Sequence, residues 1–555
     1  MRMPIRFSLL TRPRPRPAAS RFLVGVNHFH FVAQRHNKST TTTTNTSTVT
    51  RRRRTTECVT VAVDPATTSK VYLTLFIFSL IYRSCWLKKM FFSDDELRTL
   101  MQDQVLDSIR HSFKISGRPS NAAAVVLASR SLASWLQDAT FLSQLVRPLV
   151  PASSAAACAD DDGAGEASRG ISLLGAAVDA IPIPSSYVSG GFKRYTAAEG
   201  LSVLHGEVDD ILPGIWEMDL SESPSSSSSP ALEFHVPGVG GGEEQKAGLE
   251  VTLPLANTLF DNGREWTLLA SRWVHSSSSS GMSLVEMVER SGGAKIMLRG
   301  TETTRSHIRV PLVPITKPRR VVAGLGNILR QVEVDGRPVP ASKELEEVIP
   351  KLLAARTDTA AVGPIGVWAV IYPESVARDG GLPSALEVGA SKDKGAEWRV
   401  AREVEHVMGG LLGRGCHMRR ILSGGGGWGL KQGLLSLDPQ TKYATADQDD
   451  IESFIRSFHG EDGDGTAVIT PGSFVQFMVE PVGVAPTETQ DDGKSPSVIL
   501  GTQGLGSIFT PGGIRVHKGV FGGLSAHGMY LASEGTGKPG ITTKIDASGS
   551  FVCSG

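Results

Sequence analysis

Aromatic residues are scarce in this chain, at 6% of 555 positions, and its five cysteines (Cys58, Cys85, Cys158, Cys416, Cys553) are far apart and odd in number. No Cys-x-x-Cys and no His-Glu-x-x-His occurs. These absences exclude a disulfide framework, a zinc ribbon and the common zinc-protease motif. The only N-glycosylation sequons, at Asn37 and Asn45, fall in the first 56 residues. Long apolar runs are also missing. The longest, Val71 to Tyr82, is shorter than the roughly 20 residues of a spanning helix, and extending it to Leu87 would enclose Arg83. Transmembrane anchoring through 71–87 is therefore not expected.

Acidic residues are absent from positions 1–56, which hold twelve Lys or Arg, from Arg2 to the run Arg51–Arg54. An Arg-rich, hydroxyl-rich, acid-free segment has the composition of an organelle transit peptide. The membrane potential draws such charge inward at roughly 2.3 kcal/mol per charge per 100 mV. A secretory signal needs a continuous apolar stretch of about 7–15 residues, and Phe22–Val26 is too short. The Arg-Pro repeats from Arg12 to Pro17 interrupt any amphipathic helix there. The expected destination is the mitochondrion, the matrix first; the alternative is that translation starts at Met90. Beyond residue 56, 45 basic residues face 56 acidic ones, a net charge of −11. Such a body is not coated for nucleic acid, so any site for it has to be local.

Residues 57–92 read as a short apolar segment. Ser93 to Glu96 has the pattern of a capping box. Leu97, Leu100, Met101, Val105, Leu106, Ile109 and Phe113 follow at helical spacing, and a second series runs from Val125 through Trp135 to Leu145. Residues 93–150 are thus predicted to form a helical hairpin. Residues 151–170 read as a linker. From 171 to 555 the chain reads as a β-rich α+β region with room for two subdomains. Short β-prone runs (249–254, 265–269, 307–313, 366–372, 473–480) mix irregularly with helical stretches at 343–356, 396–412 and 447–459. That order favours α+β over a doubly wound sheet. Low-complexity loops fall at 221–246 and 276–280.

Two glycine motifs lie in acid-free basic windows. In the first, from Thr303 to Val332, Arg319 and Arg320 precede Gly324 and Gly326. In the second, between Glu405 and Asp438, Arg419 and Arg420 precede Gly424, Gly425, Gly426, Gly427, Trp428, Gly429 and Lys431. Glycine-rich backbone leaves its amides open to an anion. The second motif falls short of a phosphate loop, because Leu430 holds the lysine place and no Ser or Thr follows Lys431. Gly324-Leu325-Gly326 begins like a dinucleotide fingerprint but lacks its third glycine. Gly523 to Gly528 approaches a nucleophile elbow, with His527 where glycine is required. The twelve residues named in the windows, other than Trp428, are the anion-binding candidates if the windows meet in space, and Trp428 is a candidate for stacking on a base. The alternative is two basic loops on separate faces.

The stretches Ile308–Asn327 and Leu422–Pro439 resemble a group of uncharacterised fungal proteins with predicted mitochondrial signals. That resemblance implies a compartment and a pairing of the two glycine motifs, and no activity. The sequence identifies no catalytic residue, metal site or cofactor. Three functions follow as expectations: binding of RNA or a mitochondrial ribonucleoprotein surface through the basic glycine windows, an enzyme holding a phosphorylated small molecule or nucleotide on Gly424–Gly429, or a scaffold without a ligand.

Overall fold

The computed structural model describes residues 56–63, 94–113, 121–150, 170–184, 195–217, 230–236, 248–275, 281–298, 306–356, 365–387, 395–424, 433–443, 469–482, 498–504, 508, 513–533 and 541–554. The basic tract up to residue 55, the apolar run 71–87, the capping residue Ser93, the helical stretch 447–459, the linker 151–169, most of the 221–246 loop and the 276–280 loop lie outside them.

Ala122–Ser129 is apolar almost throughout and buried at every position. It is the central strand of a seven-stranded sheet. The order is Met282–Glu289, Leu268–His275, Gly170–Val178, Ala122–Ser129, Gly200–Glu207, Glu57–Ala62, Arg515–Lys518. The central strand is parallel to Gly170–Val178 and antiparallel to Gly200–Glu207. A parallel pair needs a crossover, and Arg130–Gln137 and Ala139–Val146 lie on it. The second of these helices is capped by Asp138, whose Oδ1 accepts from the amides of Thr140 and Phe141.

This corrects the helical hairpin predicted for 93–150. Its first helix is present as Asp94–Arg110, but the series after Asn121 starts as a strand. A strand covered on both faces is apolar at every position and carries no alternation. Here Ala122, Ala124, Val126 and Ala128 face a core shared with Trp135, Phe141 and Leu145. Ala123, Val125 and Leu127 face a second core shared with Phe234, Leu253 and Phe521.

Two further sheets build that second core. One runs Ala294–Met297, Ala231–Val236, Leu249–Pro254, Met529–Ala532, Thr542–Ile545. The other runs Ser306–Arg309, Phe551–Ser554, Val498–Thr502, Phe521–Ser525.

The glycine windows belong to a barrel, whose strands are β1 (Val313–Pro314), β2 (Arg319–Leu325), β3 (Ile328–Val334), β4 (Arg337–Pro340), β5 (Val367–Tyr372), β6 (His417–Gly424), β7 (Leu435–Leu437) and β8 (Phe474–Val479). One edge of β8 pairs with β1 and β2, and the other with β5. Pairings β2–β3, β3–β7, β7–β6 and β6–β5 close the ring. Closure gives each of the six ring strands a partner on both sides. Val321, Leu329, Ala369, Ile371, Leu435, Leu437, Val475 and Phe477 fill the interior. The alternate residues Trp368, Val370, Tyr372, Met418 and Met478 pack outward into the second core.

β3 and β4 form a hairpin whose two-residue loop is Asp335-Gly336, both at positive φ (52° and 75°), the combination that a type I′ turn requires. The helices Lys343–Arg356 and Ala396–Leu412 lie where the sequence predicts them. Ser342 opens the first, its carbonyl accepting from the Glu346 amide and its hydroxyl donating to Glu346 Oε1 at 2.6 Å. No helix among the described residues is long and apolar enough to cross a membrane.

Candidate anion-binding face

Gly324 pairs with Leu329, Leu329 with Leu435, and Leu435 with Gly424. The two windows therefore lie on one row of one barrel. Along the wall they are three strand spacings apart, about 14 Å, and since three steps are half of a six-stranded ring, β2 and β6 stand on opposite sides of it. Both are packing residues. A Cβ on Gly324 would fall 2.4 Å from Ile469 Cγ2, and one on Gly424 2.3 Å from Leu435 Cδ2. Gly326 (φ 56°) turns the chain between β2 and β3. The fingerprint-like run is thus a hairpin: β3 begins two residues later, where a dinucleotide site would open a helix. Gly425, Gly426, Gly427, Trp428, Gly429 and Lys431 lie outside the described residues.

The four candidate arginines divide into two pairs. Arg319 is committed to Glu344: Nε donates to both carboxylate oxygens (3.0 and 3.1 Å) and Nη2 to Oε1 (2.6 Å), tying β2 to the helix Lys343–Arg356. Arg419 is buried, and its Nη1 donates to the backbone carbonyls of Asp438, Pro439 and Gln440 at 3.3, 3.1 and 2.6 Å. Desolvation lowers its pKa to about 10, opposed by the Asp438 carboxylate, so it stays charged at neutral pH. As anion ligands these two are corrected: Arg319 is held by Glu344, and Arg419 is buried with Nη1 on three carbonyls, its buried Nε having no partner among the described residues.

Arg320 and Arg420 are exposed on the outer surface, and so is Arg330 on β3. Arg420 lies over the Trp368 ring at 5.8 Å. Arg320 and Arg330 form no side-chain hydrogen bond or ion pair with a described residue. Val322, Leu325 and Leu422 are exposed on the same strands. Residue-by-residue alternation groups Arg320 with Val322 on β2 and Arg420 with Leu422 on β6, whereas Leu325 turns outward only because the register shifts between Val321 and Gly324. Among the described residues no three His, Cys, Asp or Glu side chains come together to hold a metal.

No protein-family model, curated protein or solved structure matches the chain.

Proposed function

We propose that the protein binds single-stranded RNA, free or on a ribonucleoprotein surface, wrapped around the outside of the half-ring β2, β3, β7 and β6. The observation that carries this reading is the set Arg320, Arg330 and Arg420, exposed with Val322, Leu325 and Leu422 along the outside of that half-ring in a chain that is net acidic beyond residue 56. Guanidinium groups engage phosphates, and exposed aliphatic side chains between them offer bases and riboses an apolar bed. The mitochondrial matrix is the proposed compartment, from the composition of residues 1–56.

Fluorescence anisotropy with a labelled ten-nucleotide RNA tests the reading. Three phosphate contacts predict a slope of log K against log salt of about −2 for a single strand. The variant Arg320→Glu/Arg330→Glu/Arg420→Glu is expected to lose binding and slope together. Equal affinity in this variant, with the same slope, overturns the proposal. Arg319 and Arg419 must stay intact in that experiment, because reversing them attacks the barrel itself.

A further inference from the structure

The segment held by Arg419 leads to a second place on the molecule. Gln440, at the end of that segment, and Tyr443 form one wall of a cavity of about 340 Å³. The opposite walls come from Pro254–Asn257, Trp266, Tyr530 in Met529–Ala532 and Lys544 in Thr542–Ile545. The cavity therefore lies where the five-stranded sheet meets the barrel. Two contacts tie the same junction: Thr543 Oγ1 donates to Met418 O, and Trp368 Nε1 donates to Asp546 Oδ1 at 2.7 Å.

The back wall is a closed polar network. Lys544 Nζ donates to Asp438 Oδ2 (2.8 Å) and to Gln440 Oε1 (2.9 Å), and the Tyr530 hydroxyl donates to the same Gln440 oxygen (3.1 Å). Burial pushes the Tyr530 phenol up to about 12, so it remains a donor. With two donors on its carbonyl, Gln440 turns its NH2 group away from them, leaving two N–H bonds to offer. Lys544 has a third proton to offer, while its charge is balanced by Asp438, with both side chains mostly buried (16% and 11% exposed). Glu265 and Asn257 stand exposed at the mouth and supply acceptors.

The side walls are aromatic. Tyr443 and Tyr530 meet at 67° with ring centroids 5.4 Å apart, and Trp266 is a half-buried third ring. Two rings at that angle make a corner. A flat base needs parallel surfaces on its two faces, whereas a corner holds a thicker body with C–H groups on more than one side. The charges decide further. An anion would face Glu265 and a lysine already neutralised by Asp438, with exposed His527 the remaining basic side chain on the lining. A cation would face the Lys544 ammonium, which lies 5.8 Å from the Tyr530 centroid.

We infer that this cavity binds an uncharged, ring-shaped polyol, a sugar, with its C–H faces in the Tyr443–Tyr530–Trp266 corner and its oxygens on the Gln440 amide and the Lys544 ammonium. Hydroxyl groups both donate and accept, which suits the N–H donors at the back and the Glu265 carboxylate at the mouth.

The test uses the full chain and a panel of glucose, galactose, N-acetylglucosamine and ribose at millimolar concentrations. Melting temperature and titration calorimetry are the readouts, with glucose 6-phosphate, glucuronate, tetramethylammonium and adenosine as charged or flat comparisons. A neutral sugar is expected to raise the melting temperature and to bind more tightly than every comparison compound. Gln440→Leu and Tyr443→Ala should each weaken it at least tenfold, with far-UV circular dichroism confirming that both variants are folded. The inference is overturned by no shift with any neutral sugar, by tighter binding of a charged or flat comparison, or by unchanged affinity in either folded variant.

Discussion

Arg419→Met separates an arginine that holds the fold from one that faces a partner. The methionine keeps the length and apolar stem of the side chain and removes its charge and donors. Three bonds from a buried guanidinium to main-chain carbonyls are lost. Each hydrogen bond from a charged donor contributes about 1.5–3 kcal/mol. Against that stands the release of a desolvation cost of several kcal/mol for burying the charge. The carbonyl of exposed Gln440 recovers water, whereas that of Asp438, a residue 8% exposed, keeps less access to it. The net expectation is a loss of about 2–4 kcal/mol, within the range for breaking a buried polar network. Arg320→Met, at an exposed site without such partners, should stay within about 0.5 kcal/mol of the parent. Urea unfolding followed by tryptophan fluorescence measures both, and Trp368 reports directly because its β5 strand pairs with the Arg419 strand. If Arg419→Met unfolds at the same urea concentration as Arg320→Met, the guanidinium is not what fixes residues 438–440. The cavity wall would then need another explanation.

Two other perturbations follow from buried geometry. His205 packs beside the Phe113 ring, and burial lowers its pKa from 6.5 to about 4. Between those values the unfolded chain binds a proton that the folded chain refuses. Stability is therefore full above pH 6.5 and falls by about 1.4 kcal/mol per pH unit down to pH 4, roughly 3 kcal/mol in all. His205→Phe should flatten that dependence in calorimetric melts, and an identical pH profile in the variant refutes the assignment. Gly433 has φ 78°, and a Cβ there would lie 2.3 Å from Pro340 Cβ, so Gly433→Ala should cost about 2–3 kcal/mol. Gly336 has nearly the same φ with nothing within 4 Å. Gly336→Ala should therefore cost only about 1 kcal/mol, and equal losses at the two sites would show that contact with Pro340 is not the cause.

The parts of this fold that could be seen in the sequence are those whose signals are local. Ser342 ahead of Glu344, Glu346 and Glu347 marks a helix start by its own chemistry, and the helix begins there. Asp335-Gly336 marks its turn in the same way. Ala122–Ser129 is ambiguous, because a run of Ala, Val and Leu satisfies the helical period and a doubly covered strand equally well. What separates the two is the presence of layers on both faces, and those layers come from residues as distant as Phe521. The barrel was out of reach for a related reason. Its ring joins strands from Arg319 to Val479, and β8 closes it by pairing with segments more than a hundred residues upstream. No window of sequence contains that information.

The two arginine doublets show where a simple rule would have served better than a charge count. Arg319-Arg320 and Arg419-Arg420 each lie within a strand, where successive side chains point to opposite faces. One arginine of each doublet must therefore turn toward the barrel wall or interior, and a guanidinium there has to find acceptors. Arg319 shares the phase of interior Val321 and finds Glu344; Arg419 shares the phase of Ile421 and finds three carbonyls. Four guanidiniums on one face were never available from this pattern. Each doublet sends one outward, and β3 adds Arg330 at its own outward position. The surface offered to an anion then carries Arg320, Arg330 and Arg420 spread around half the ring, and three charges bind in a way that salt should weaken gradually rather than abolish at once.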